Sequence, residues 1–285
     1  MELHILGSGC PAPTPDRFGS AFILDAGSDL IMVDCGPATT WKMARMGIRT
    51  TQVHHLFLTH HHFDHNSDFP TFALTRWDQS TGGEPPLIVY GPPPTRSFVD
   101  KLMGKEGAFF PDWDSRIKHP ASHWCHEARG GTLPRPAPAF EVKEAKSGDS
   151  YRADSWTVHT QSVQHVEPYL KSLAFRFETS AGSVVFAGDC ADCPDLRDFA
   201  TGADTLVAAC THFGPSETDP AISEVITGSS DTAEIAAEAD VNTLVLTHAN
   251  SRFAQPETQK KVIAEIRETF DGAVFFPEEL TTVAL

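Results

Sequence analysis

The sequence predicts an α/β protein built on mixed β-sheet, and three observations carry that expectation. Eleven short apolar runs recur along the 285 residues, most of them ending in a polar or glycine-containing turn. Segments with helical spacing of apolar residues lie between them. The chain is 40% apolar, enough for a sizeable core, at a length near the upper end for one α/β domain.

The strand-like runs are, in order, Leu3–Leu6, Ala21–Leu24, Leu30–Val33, His55–Leu58, Leu87–Tyr90 and Trp156–Thr160. Leu173–Phe177, Ser183–Phe186, Thr205–Ala208, Thr243–Leu246 and Ala273–Phe276 complete the series. Helices are expected over Thr39–Met46, Pro94–Met103, Thr232–Ala239 and Pro256–Phe270. The last of these has proline near its start and Val262, Ile263 and Ile266 on one face. Both halves share a rhythm of strands followed by helices, without a repeat of fixed period. We read residues 1–285 as one domain. Its pattern breaks down between Gly104 and Ser150, where aromatic residues, prolines and three histidines make an irregular cap or contact segment, with a homodimer as the expected contact.

Charge and composition narrow the function. There are 38 acidic against 22 basic side chains, a formal charge of −16. Non-specific nucleic-acid binding is driven largely by Lys and Arg, so this balance makes nucleic acid a disfavoured partner against a small-molecule substrate, with a local basic groove left open. The start of the chain lacks the basic and apolar stretches of a secretory signal, and no segment approaches the length needed to span a bilayer. The six cysteines are scattered, which fits reduced thiols in the cytoplasm.

The strongest chemical signal is Leu56-Phe-Leu-Thr59-His60-His61-His62-Phe63-Asp64-His65, where an apolar run leads directly into four histidines and an aspartate. In an extended segment, positions i, i+2 and i+4 share a face, so His60, His62 and Asp64 project together. A turn at Asp64 swings His65 into the same space. Imidazole with carboxylate suits zinc, iron or manganese, and this spacing can feed two adjacent ions.

Thr59-His60-x-His62-x-Asp64-His65 resembles the signature of the metallo-β-lactamase superfamily of hydrolases. Ser162-Val-Gln-His165, Phe186-Ala-Gly-Asp189 and Thr243-Leu-Val-Leu-Thr-His248 follow in the order of that family's remaining landmarks. The resemblance implies an αββα sandwich, two mixed sheets face to face with helices outside. It implies a first metal on His60, His62 and His165, a second on Asp64, His65 and His248, and Asp189 as the bridge. The expected cofactors are therefore two divalent ions, zinc first, with iron and manganese as alternatives.

Leu6-Gly7-Ser8-Gly9-Cys10-Pro11 and Val33-Asp34-Cys35-Gly36 resemble the ribonuclease Z-like branch. Glycines there allow close backbone approach beneath the metals. Asp34 is either a carboxylate that orients a ligand histidine or a turn former at a strand end. The sequence also departs from that branch. Only 23 residues separate His165 from Asp189, too few for the arm that grips transfer RNA. The branch's catalytic glutamate is matched by Cys210 in Ala209-Cys210-Thr211-His212, and its histidine is missing from Gly228-Ser229-Ser230-Asp231-Thr232.

Weaker candidates remain. His212 follows a strand near the expected metal edge and, with Asp64, is a catalytic candidate, as proton donor or substrate contact, against a buried structural histidine. Cys190-Ala-Asp-Cys193 has Cys-x-x-Cys spacing but no second pair. His119, His123, Cys125 and His126 have ligand types that permit a structural zinc, against a solvated loop. Trp77, Phe109, Phe110, Trp113 and Phe213 are candidates to wall an apolar pocket, against the reading that they are ordinary core.

The reading is a metal-dependent hydrolase in which a hydroxide held between two metals attacks a small, partly aromatic phosphodiester, ester or lactone. A hydrolytic dehalogenase of activated aryl halides and a ribonuclease Z-type transfer RNA 3′-processing endonuclease are the enzyme alternatives. A metal-binding sensor or scaffold without turnover is the non-enzyme one.

Overall fold

A computed structural model describes residues 1–285. Two seven-stranded mixed sheets pack face to face. The first contains β1 (Glu2–Ser8), β2 (Ser20–Asp25), β3 (Leu30–Val33), β4 (Val53–Phe57), β5 (Leu87–Gly91) and β6 (Phe140–Glu144). The second contains β7 (Ser150–Arg152), β8 (Trp156–Ser162), β9 (Leu173–Thr179), β10 (Gly182–Phe186), β11 (Thr205–Ala209), β12 (Thr243–Thr247) and β13 (Ala273–Phe275). The last strand, β14 (Thr281–Ala284), returns to pair with β1, giving the orders β14-β1-β2-β3-β4-β5-β6 and β13-β12-β11-β10-β9-β8-β7.

The helices are α1 (Thr39–Arg45), α2 (Phe63–Asn66), α3 (Phe69–Gln79), α4 (Thr95–Met103), α5 (Phe110–Lys118) and α6 (Pro120–Ala128) in the first half. In the second half come α7 (Pro194–Ala200), α8 (Pro220–Ser223), α9 (Ser229–Glu238) and α10 (Pro256–Ile266). Among the described residues, no helix is long and apolar enough to cross a membrane.

The strands read as near-continuous apolar runs because both of their faces are covered. Inward-facing Phe22, Leu24 and Phe57 of the first sheet meet Phe175, Phe177 and Phe186 of the second in an aromatic-rich inter-sheet core. Outward-facing Ala21, Ile23 and Leu56 pack with Met43, Phe69, Phe72 and Val99 from α1, α3 and α4. Leu206, Ala208, Leu244 and Leu246 do the same against α7, α9 and α10. Four layers result, as the αββα expectation requires.

All eleven expected strands are present. The segment from Gly104 to Ser150 is more regular than expected, since it contains α5, α6 and β6. Prolines at the first turns of α3, α5 and α6 start these helices, where the missing N–H has no partner to lose. Read as punctuation, the same prolines hide the helices in the sequence.

The topology also gathers the chemistry. β3, β4 and β5 run parallel, and so do β10, β11 and β12. A bridge from Gly9 to Ala249 joins the ends of β1 and β12, bringing the carboxyl ends of both sheets to one edge. The segments after β3, β4, β8, β10 and β12 open onto that edge.

Candidate metal centre

After β4 the chain stays extended through His62, whose φ of −70° and ψ of 149° precede the first turn of α2. Extension puts His60 and His62 on one side. Their Nε2 and Nδ1 atoms lie 3.0 Å apart, and His62 Nδ1 lies 3.2 Å from His165 Nε2. Imidazole nitrogens bound at roughly 2.0–2.1 Å around a tetrahedral ion stand about 3.3 Å apart, so this spacing fits an ion better than it fits three mutually bonded rings.

The turn into α2 carries Asp64 and His65 to the other side. His248 Nε2 lies 3.3 Å from Asp64 Oδ2, and His65 Nε2 lies 3.6 Å from the same oxygen. Asp189 joins the two groups. Its Oδ2 is 3.0 Å from His248 Nε2 and 4.0 Å from both His60 Nε2 and His165 Nε2, and its Oδ1 is 3.4 Å from His65 Nε2. Within each group, His60, His62, His165 and Asp189 on one side and Asp64, His65 and His248 on the other, the donor atoms lie within 4.8 Å of one another. Asp64 Oδ1 and His65 Nε2 are buried without a hydrogen-bond partner, a costly state that metal coordination relieves. The donor set thus fits divalent metals.

The electrostatics follow from this crowding. Burial pushes the His60 pKa well below its usual value, and neighbouring His65 pushes it further. Burial would also depress His65 and His248, but facing carboxylates outweigh it. Asp189 and Asp34 hold His65 well above the ordinary value, and Asp189 with Asp64 raises His248 to about 9. Burial would raise Asp189, yet His248 and His65 keep it well below the usual carboxylate range. Without metal, the cluster holds itself together by histidine–carboxylate pairing.

A second ring of contacts aims these ligands. Asp34 stands at the end of β3 with a φ of 58°, so it is a turn former and an orienting carboxylate at once. Its Oδ2 accepts from His65 Nδ1 at 2.7 Å, while its Oδ1 accepts from the Thr59 backbone N–H at 2.8 Å. His248 has the same left-handed backbone, a conformation that non-glycine residues hold only when their surroundings impose it. His165 Nδ1 donates to the Val225 carbonyl at 2.7 Å. His61 points away from the cluster, with its Nε2 2.9 Å from Thr95 Oγ1, and pins the ligand loop to α4.

Thr59 and Glu167 are supports that the sequence reading did not single out. Thr59 Oγ1 contacts Asp34 and lies 3.0 Å from His60 Nδ1. Glu167 accepts from the backbone N–H groups of His165 and Ser172. The Thr-His step at the strand end was a visible signal for Thr59. Glu167 gave none, because a lone glutamate in a loop has no distinguishing pattern.

The other candidates scatter. His212 is buried, but its ring packs at the start of α9 with Nε2 3.6 Å from Asp231 Oδ2, and it does not join the ligand cluster. Cys210 faces the helix-covered core, where burial raises its thiol pKa. Cys190 and Cys193 do stand together, with sulfurs 3.8 Å apart. The zinc set that the ligand types of His119, His123, Cys125 and His126 permitted does not converge among the described residues. Instead His119 caps α6, while His123 Nε2 and His126 Nε2 lie against the carbonyls of Ile117 and Thr132. Local bonds to backbone groups set the three rings, and they do so away from any shared point. The candidate aromatic wall is also dispersed: Trp77 Nε1 donates to the Pro136 carbonyl, Trp113 Nε1 donates to the Met103 carbonyl, and Phe213 packs on Phe253.

Known proteins agree with this geometry. A family model described as anti-Pycsar protein Apyc1 matches residues 1–93. The chain is 32% identical over 291 residues to a protein of Mycobacterium marinum named Ribonuclease Z, covering 99% of this chain and 98% of that one. A Mycobacterium avium protein of the same name is 31% identical over 290 residues, with 99% and 98% covered. Among solved structures, the metallo-β-lactamase fold protein YhfI from Bacillus subtilis superposes with a TM-score of 0.73 at 18% identity, covering 99% of this chain and 98% of that one. The short form of human tRNase Z does so with 0.69 at 19%, covering 100% and 99%.

These relatives overturn the expectation of a small-molecule substrate with nucleic acid disfavoured, since full-length relatives are named as ribonucleases. The net charge weighed too heavily in that expectation, because it is a chain-wide sum. A charge of −16 describes the whole surface, whereas contact with a nucleic acid is decided at one face. Nor does the short span between His165 and Asp189 set the chain apart, because it aligns with the Mycobacterium marinum protein almost end to end. The chain belongs to the ribonuclease Z family and is a metal-dependent hydrolase of the metallo-β-lactamase fold.

Proposed function

We propose that the chain is a two-metal phosphodiesterase that cleaves RNA, as the name of its full-length relatives suggests. The observation that carries this reading is the position of Asp189, whose Oδ2 lies 4.0 Å from His60 Nε2 and His165 Nε2 on one side while its Oδ2 and Oδ1 lie 3.0 and 3.4 Å from His248 Nε2 and His65 Nε2 on the other. His60, His62 and His165 would hold one ion, Asp64, His65 and His248 the other, and Asp189 both. Zinc is the metal we favour, on the strength of five imidazole donors against two carboxylates. Bound there, the ions would acidify a water and offset negative charge on the phosphoryl oxygens.

The protein's own contribution is orientation and proton handling. His65 is fixed by Asp34, and His165 by the Val225 carbonyl, so their free nitrogens are aimed before any ion arrives. Burial would raise the Asp64 pKa, but His248 and His65 hold it below the usual value. Asp64 therefore stays ionised, and its Oδ1 has no protein partner to give up when it serves as a ligand. All six cysteines are unpaired, which supports placement in the reducing cytoplasm.

The test is elemental analysis joined to an RNA cleavage assay. Two metal equivalents per chain and metal-dependent cleavage of a transfer RNA precursor at its 3′ side are expected. A fully metallated protein that leaves RNA phosphodiesters intact would overturn the reading.

A further inference from the structure

The ligand loops carry two aromatic side chains that the chemistry above does not use. Phe63 lies between His62 and Asp64 and is 56% exposed, and Tyr169, four residues beyond His165, is 91% exposed. Among the described residues, they are the two exposed large aromatics placed this close in sequence to the ligand cluster. Phe63 adjoins His62 and Tyr169 lies on the loop that begins at His165, and since His62 Nδ1 and His165 Nε2 are 3.2 Å apart the two segments start from one point.

The Tyr169 loop is braced although its ring is not. Glu167 Oε2 accepts from the His165 N–H at 2.7 Å, Glu167 Oε1 accepts from the Ser172 N–H at 3.1 Å, and the Tyr169 N–H donates to the Val166 carbonyl at 3.1 Å. A bare aromatic ring on a fixed loop loses little freedom when something flat covers it. The same loop, 165–172, holds one basic residue, Lys171, and one acidic residue, Glu167, so it offers little grip on phosphates. Stacking needs no positive charge and is indifferent to base identity, so it suits a loop with this local charge balance.

We propose that Phe63 and Tyr169 form a base-stacking platform beside the His62–His165 pair, taking the unpaired nucleobases that flank the scissile phosphodiester. This inference rests on the reading of the protein as an RNA hydrolase.

Binding tests it separately from cleavage. The probe is a fluorescein-labelled single-stranded oligoribonucleotide with a non-hydrolysable linkage at the scissile position, and its partner is the same strand with abasic residues on both sides. Phe63→Ala and Tyr169→Ala should each weaken binding of the base-bearing strand by about tenfold or more. Both should bind the abasic strand as weakly as the parent protein does, and Tyr169→Phe and Tyr169→Trp should restore tight binding. Equal weakening of both strands, or no weakening of either, overturns the platform. Base-dependent binding without RNA cleavage leaves the platform standing and removes the proposed function. A parent protein that binds neither strand removes both.

Discussion

Asp34 Oδ2 lies 2.7 Å from His65 Nδ1, and both side chains are fully buried. With Nδ1 committed to that carboxylate, the other nitrogen of His65 is left to face Asp64 and Asp189. A strand-end residue with no place in the ligand set thus decides the direction of a ligand.

Asp34→Asn should weaken metal binding by about 10- to 100-fold, the usual effect of losing such an outer partner. The amide keeps the shape and can still accept from the Thr59 N–H, so the fold should survive. Competition with a chromogenic chelator measures the affinity. Unchanged affinity in a folded variant would show that His65 is oriented by something else.

Asp189→Ala should damage chemistry more than fold. Its carboxylate faces four histidines, and without it two neighbouring cations lose their shared counter-charge. Turnover should fall by orders of magnitude, metal content should drop below two equivalents, and circular dichroism should stay native. Full turnover with normal metal content would refute the bridging role.

Chelated, metal-free protein should be less stable at high pH. The folded pKa of His248 is about 9 against an ordinary 6.5, so its protonated form is favoured by folding. That stabilisation is complete below about pH 6.5 and is lost as pH rises through about 9. His65, also held high by Asp189 and Asp34, acts in the same direction. A melting temperature of the chelated protein that rises between pH 7 and 10 would contradict this.

The candidate ligand cluster was legible because four of its seven members lie within six residues, at spacings that backbone geometry converts directly into direction. His165, Asp189 and His248 were legible only through resemblance, since each stands alone at a strand end. Central strands announced themselves by apolar runs, whereas β6, β7 and β14 are short, partly polar and at or near sheet edges, so they carry too few buried residues to stand out. The orienting ring was harder to see. Glu167 is one glutamate among many until folding sets it against the backbone N–H groups of His165 and Ser172.

Gly36 tests whether backbone approach beneath the metals matters as much as the ligands do. Its N–H donates to the Ser20 carbonyl at 2.9 Å, and the neighbouring Cys35 N–H donates to the His65 carbonyl at 2.7 Å. A Cβ at position 36 would overlap the backbone carbonyl of Asp64 and come within 2.8 Å of Ser20 N and O. Those obstacles are main-chain atoms, which cannot rotate aside as a side chain can. Gly36→Ala must therefore push the α2 turn outward, moving Asp64 and His65 together, at a cost of about 1–3 kcal/mol or more for overpacking. The expected result is a lower melting temperature with selective loss of the second metal equivalent, read by elemental analysis, while the His60, His62 and His165 group keeps its ion. Gly83→Ala is the control, since a Cβ there meets nothing within 4 Å. If Gly36→Ala matched that control in both stability and metal content, the loop would be free to adjust, and close packing under the metal edge would not be what sets the second group of ligands.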